Sequence, residues 1–299
     1  VVSEAWRELY PFESRFLTVR GGHRYHYLDE GKGQPVIFVH GNPTWSFYWR
    51  ELVKELRATH RCIAPDHVGC GLSDKPGDDA YEYTLERRVE DLSALVEHLH
   101  LDKVTLVLHD WGGMIGLAWA VANPTRVARL VLLNTSGFRL PATKPLPWQL
   151  KLVRNLPGFG ALSVRGLNAF AGLAVHMAAM KPLDPRVKAG LVAPYDSWRN
   201  RIATLRFVQD IPLAPGDRAW DAVLRVEEKL GSLRNVPTFI GWGEKDFVFD
   251  GHFLAEWGRH LPDAQVKTFP EAGHYVLEDA RDELVPLIRD FIAREPSPV

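Results

Sequence analysis

Short unbroken apolar runs alternate along this chain with stretches in which apolar residues recur every three or four positions. Pro35–His40 (PVIFVH), Arg61–Pro65, Val104–His109 (VTLVLH) and Val127–Leu133 are of the first kind, the pattern of strands buried on both faces. Trp45–Leu56, Thr84–Leu99 and Gly112–Ala122 lie between them and are helix-prone. Ahead of these, Phe16–Arg20 and Arg24–Leu28 flank Gly21-Gly22, which reads as a hairpin. The alternation predicts a parallel sheet with helices on both sides. It breaks off near Phe138. From there to Leu233 nine prolines separate short helix-like pieces, and no run reads as a buried strand. It resumes at Val236–Trp242 and continues through His252–His260 (helix), Gln265–Phe269 (strand) and Glu283–Ala293 (helix). The final strands need the first sheet to join. We therefore expect one α/β core, residues 1–136 and 234–299, interrupted by a helical cap at 137–233.

Composition narrows the function classes. The 299 residues are 46% hydrophobic and 24% charged, with a net charge of −1, close to an ordinary globular domain. There is no basic excess of the kind that grips nucleic acid. No apolar stretch approaches the roughly 18 residues of a membrane span. Val1–Arg7 lacks the layout of a signal peptide, and a cytoplasmic protein is expected. Cys62 and Cys70 are too few for a disulfide framework. No His/Cys/Asp cluster has zinc spacing, and no glycine-rich phosphate loop follows a strand. The expected chemistry uses neither metal nor organic cofactor.

The sharpest chemical signal is Leu106-Val107-Leu108-His109-Asp110-Trp111-Gly112-Gly113. A buried strand turns tightly into a helix with a reactive side chain at the tip, the layout of a nucleophile elbow. The tip residue is Asp110 rather than serine. A carboxylate that attacks saturated carbon forms an alkyl ester on the enzyme. Alone, Asp110 would read as a helix N-cap. Leu108 departs from the small residue that the elbow pattern favours.

Partners follow in chain order. Asp246 sits in the loop after Val236–Trp242, and His274 in the loop after Gln265–Phe269. Nucleophile, acid and base in that order is the α/β-hydrolase arrangement. His274 is the expected base and Asp246 its orienting acid; Glu244 is a rival for the acid. The loop after Val127–Leu133 carries Asn134 instead of a carboxylate. His40-Gly41-Asn42-Pro43 ends the first central strand, where this fold supplies an oxyanion donor together with the residue after the nucleophile. Asn42 and Trp111 fill those positions, and each adds a side-chain N–H. His109 is read as structural.

Through HGNPTWSFYWR, APDHVGCGLSDKP, HDWGGMIG and the Asp246 and His274 loops, the chain resembles the haloalkane dehalogenase family, in its third-subfamily form. The likeness runs through nearly the whole chain. It implies an α/β-hydrolase fold with a mostly parallel eight-stranded sheet, flanking helices and a cap. It also implies Asp110 as nucleophile, His274 as base, Asp246 as acid, and Asn42 with Trp111 holding a halide ion. The expected reaction turns a haloalkane into an alcohol plus halide. KPLPWQ and VAPYDSWRNRIATLRFVQDIPL in the cap look as much like the β-lactone decarboxylases of bacterial olefin biosynthesis, which share all five residues. For these the product is an alkene and carbon dioxide. Epoxide hydrolases also carry HDWGG, but they activate the epoxide with paired cap tyrosines, and here the cap holds Tyr195 alone.

Phe138, Trp148, Phe170, Met177 and Phe207, with Tyr275 beside the base, are the expected pocket wall, and Ala169–Met180 is a candidate tunnel helix. A small apolar substrate, unbranched and long, is expected. Trp148, Trp198 and Trp220 are candidates for a surface that makes a homo-oligomer.

Overall fold

A computed structural model describes residues 4–294; Val1–Ser3, where the segment read as lacking a signal-peptide layout begins, and the outer ends of the expected core lie outside it. Eight strands form one sheet: β1 (Arg15–Val19), β2 (His23–Glu30), β3 (Pro35–Val39), β4 (Arg61–Pro65), β5 (Val104–Asp110), β6 (Val127–Thr135), β7 (Thr238–Gly243) and β8 (Gln265–Phe269). Their order is β1-β2-β4-β3-β5-β6-β7-β8. The β1–β2 and β2–β4 pairs are antiparallel, and all pairs from β3 to β8 are parallel. β5, at the centre, is buried at every position.

The period of two explains the continuous apolar runs. Ile37, Val39, Leu106, Leu108, Leu130 and Leu132 point to one core layer. Val36, Phe38, Val107, Val131 and Leu133 point to the opposite one. Each fully buried Leu or Val contributes roughly 1.5–3 kcal/mol, and here both faces of every central strand collect it. The α-helices among the described residues are α1 (Arg50–Leu56), α2 (Leu85–His98), α3 (Trp111–Ala122), α4 (Trp148–Asn155), α5 (Pro157–Gly160), α6 (Ala169–Met177), α7 (Pro185–Val192), α8 (Ile202–Gln209), α9 (Trp220–Lys229), α10 (Gly251–His260), α11 (Val276–Asp279) and α12 (Arg281–Ala293). The run expected as one helix over Trp45–Leu56 divides into a 3₁₀ turn, Ser46–Trp49, and α1. Between β6 and β7 every regular described element is helical, including a π-helical turn at Ala161–Gly166.

Candidate active site

The run from strand through Asp110 to helix becomes an elbow because Asp110 takes φ 52°, a left-handed conformation that costs a non-glycine residue energy. The strain is held on several sides. Thr135 donates its hydroxyl to the Asp110 carbonyl. At Gly112 a Cβ would lie 1.9 Å from the carbonyl oxygen of Val39, so only glycine lets α3 start this close to β3. Leu108 is accommodated by a gap further along α3: a Cβ on Gly116 would meet its Cδ2 at 2.4 Å.

The Asp110 carboxylate has two differently placed oxygens. Oδ1 accepts the backbone N–H of Asn42 at 2.5 Å, and the N–H of Trp111 also bonds the carboxylate. Oδ2 faces Nε2 of His274 at 3.7 Å. Burial pushes the Asp110 carboxyl above its ordinary range, against the pull of His274 and of those two N–H donors. Oδ1 is therefore fixed by the Asn42 N–H, and Oδ2 is the oxygen turned toward His274.

His274 lies in the loop between β8 and α11, and its Nδ1–H donates to Asp246 Oδ2 at 2.7 Å. Burial disfavours a charged imidazole, but Asp246 and Asp110 outweigh it and raise its pKa. Asp246, in the loop after β7, also accepts from Val248 N at 2.7 Å and from Asn134 Nδ2 at 3.1 Å. Asn134 bonds Gly243 through both ends of its amide. In the sequence Asn134 reads only as a missing acid; in the fold it clamps the loop that carries Asp246. Glu244 is exposed.

His109 does more than fill space. It is buried, which pushes its pKa well down, and its neutral Nε2–H donates to the backbone carbonyl of His274 at 2.8 Å. Its ring lies 4.6 Å from that of His274. The alternation of a strand does turn it away from Asp110, and so puts it beneath the base.

Asp110, Trp111, Asn42 and His274 open onto a mostly apolar cavity of about 380 Å³. Phe138, Trp148, Phe170, Met177 and Tyr275 line it, joined by residues that sequence reasoning misses, among them Leu140, Val248 and Phe249. Phe207 does not. It is fully buried on α8, with Trp111 on one side at 5.5 Å and the Arg88 guanidinium 3.7 Å over its ring. The rotation of α8 that places Ala203 and Phe207 in the core decides this, and the sequence pattern does not show it. The side chain of Asn42 donates to the Thr204 carbonyl of the same helix at 3.0 Å, so one of its amide hydrogens is already taken. The indole N–H of Trp111 makes no hydrogen bond among the described residues.

Such an arrangement suits nucleophilic attack by a carboxylate in a mostly apolar pocket, with the Trp111 indole N–H left for a departing group. The alpha/beta hydrolase fold family matches over residues 34–280. A cis-3-alkyl-4-alkyloxetan-2-one decarboxylase from Shewanella oneidensis is 52% identical over 286 residues, 95% of this chain and 89% of the relative. A protein of the same name from Xanthomonas campestris pv. campestris is 48% identical, over 96% and 98% of the two chains. Haloalkane dehalogenase 2 from Mycobacterium bovis is 34% identical, over 94% and 95%. The crystal structure of the haloalkane dehalogenase DatA from Agrobacterium tumefaciens superposes with a TM-score of 0.83 at 26% identity, over 94% of this chain and 96% of that one.

Proposed function

The chain belongs to the alpha/beta hydrolase fold family, and on that premise we propose that it converts a cis-3,4-dialkyl β-lactone into a cis-alkene and carbon dioxide. The observation that carries this reading is the 52% identity, across 95% of the chain, to a cis-3-alkyl-4-alkyloxetan-2-one decarboxylase. It reverses the order of the sequence reading, which puts carbon–halogen cleavage first. The dehalogenase relative is 34% identical, and the five residues shared by the two chemistries do not rank them.

In the proposed mechanism Asp110 Oδ2 attacks the ring carbon that bears the ring oxygen. The C–O bond breaks, and its electron pair goes to the ring oxygen as a carboxylate on the neighbouring carbon. Back-side attack leaves the new ester on Asp110 anti to that carboxylate. The carbon–carboxylate bond then breaks. Its pair forms the double bond, carbon dioxide departs, and Asp110 leaves with the ester pair. Inversion followed by anti elimination keeps both alkyl groups on one side, so a cis lactone gives a cis alkene. No water and no net proton are consumed.

Each residue then has a stated task. The Asn42 backbone donor holds Oδ1, the free Trp111 indole N–H stabilises the departing carboxylate, and the His274–Asp246 pair is a fixed counter-charge. A desolvated pocket strengthens all three. We assign residues 137–233 as the cap over this pocket and 1–136 with 234–299 as the core. A haloalkane would react as far as the ester but has no carboxylate to expel, so it would need water activated by His274 and would release halide. Epoxide opening lacks support: Tyr195 is buried, its hydroxyl donating to the Thr44 carbonyl at 3.2 Å.

The test compares kcat/KM for alkene release from a cis-dialkyl β-lactone with that for bromide release from 1-bromohexane, with Asp110→Ala as the blank. Alkene release should dominate. Dominant bromide release would restore the dehalogenase reading.

A further inference from the structure

Five large apolar side chains line the cavity and yet stand about half exposed or more: Trp148, Phe159, Leu173, Met177 and Phe247. They therefore form its rim. The helical pieces that carry the rim extend the same character outward. Leu156, Leu162 and Leu167 are exposed as well, Leu162 at 61% and Leu167 at 74%, although none of the three lines the cavity. So much exposed apolar side chain in one stretch is unusual for a surface that meets only water. Within residues 155–180 the only formal charge is Arg165.

The formal charge carried by this stretch of the chain has one sign. From 141 to 183 there are five basic residues (Lys144, Lys151, Arg154, Arg165 and Lys181) and no Asp or Glu, in a chain whose net charge is −1. Two carboxylates from neighbouring elements answer two of them: Asp250 pairs with Lys144 and Asp217 with Arg154. Lys151, Arg165 and Lys181 have no ion pair among the described residues. Lys151 lies three residues after Trp148 on α4, on the same side of the helix. A two-fold contact between copies would bring this basic face against itself, so a second copy is the poorer occupant.

We propose that this face docks onto an anionic lipid surface, with the rim and Leu162–Leu167 entering the apolar boundary and the basic side chains meeting the headgroups. The cavity mouth would then open onto lipid rather than water. The benefit rests on the β-lactone reading, since a substrate with two alkyl chains and its alkene product partition into lipid; the binding itself does not depend on that reading.

The experiment is vesicle co-sedimentation of the whole chain, with phosphatidylcholine alone or mixed with phosphatidylglycerol. Binding should require phosphatidylglycerol and fall with added salt. Leu162→Asp with Leu167→Asp should abolish it, while turnover of a short-chain soluble lactone, or of 1-bromohexane, stays at the parent level. Lys151→Glu alone should weaken it by about fivefold or more, which keeps the test independent of how the double variant folds. Absence of the parent chain from mixed vesicles overturns the proposal. So does binding that ignores these variants, or a parent oligomer that the double variant splits without any vesicle binding, which would assign the face to a second copy. Vesicle binding with no alkene from any lactone leaves the docking intact and defeats the chemical reading alone.

Discussion

A methyl group on Gly41 would stand 2.0 Å from Oδ1 of Asp110. The loop after β3 is thus shaped around the carboxylate, and the missing side chain is what lets Asn42 N–H reach it. Gly41→Ala should push Asp110 off this donor. Loss of one preorganised donor typically costs about 10²–10³ in kcat. A urea titration should show a far smaller relative change. A kcat within about threefold of the parent would show that the carboxylate tolerates the shift.

Trp111→Phe keeps the ring against Phe207 and removes the indole N–H. If that N–H stabilises the departing group, kcat falls by about two orders of magnitude at little cost in stability. A loss of less than about tenfold would reduce Trp111 to packing.

His274→Gln separates the two chemistries. Decarboxylation by the proposed route needs no water and no proton, whereas hydrolysis of a haloalkane-derived ester needs both. The variant should retain a larger share of alkene release than of bromide turnover. With 1-bromohexane it should accumulate an alkyl ester on Asp110, visible as added intact mass. Equal loss of both activities, with no adduct, counts against this division of labour.

Attack requires Asp110 ionised, and burial raises its pKa while His274 opposes the rise. The acid limb of kcat/KM against pH should therefore lie above the ordinary carboxylate value of about 4. An acid limb at or below about 4 would contradict the assignment.

Stability has its own pH signature at Asp66. Burial disfavours its charge, but His26 Nδ1 at 2.8 Å and the Leu72 N–H win, holding the pKa at about 2. The unfolded value is about 3.9. A depressed folded pKa gives stability that is present above the unfolded value and lost as pH falls through the folded one. Asp66→Asn should therefore cost about 2–3 kcal/mol near pH 6 from this source, and the gap to the parent should close between about pH 4 and pH 2. A gap independent of pH would assign the cost to packing alone.

The fold is legible in the sequence because its signals are local. Unbroken runs such as VTLVLH can only be central strands when both faces find cover, and the sheet provides it. Asp110, Asp246 and His274, which the fold brings together, are legible because each ends or follows a strand. Other features depend on how helices turn in three dimensions. Phe207 reads as pocket wall, but the rotation of α8 buries it behind Trp111. Gly116 excuses Leu108, although no local rule links them. Asn134 carries no charge to draw notice, yet its amide steadies Asp246. The order of the two chemistries is illegible for a plainer reason: the resemblance implies the same five residues for both.

Asp279 accepts the N–H groups of Met180, Lys181 and Gly273, and so ties the chain just after α6 to the loop that carries His274. On the far side of the cavity, Asp210 caps α2 through Leu85 N–H, and Thr204 is held by Asn42. Both sides of the cavity are thus anchored to the rest of the fold, and α4 is fastened in turn by Arg154, which donates to the Ile211 carbonyl and pairs with Asp217. Amide hydrogen exchange should be slow at Leu85 and Lys181. An entering molecule would meet donors already in place, because the helix that braces Asn42 is itself pinned.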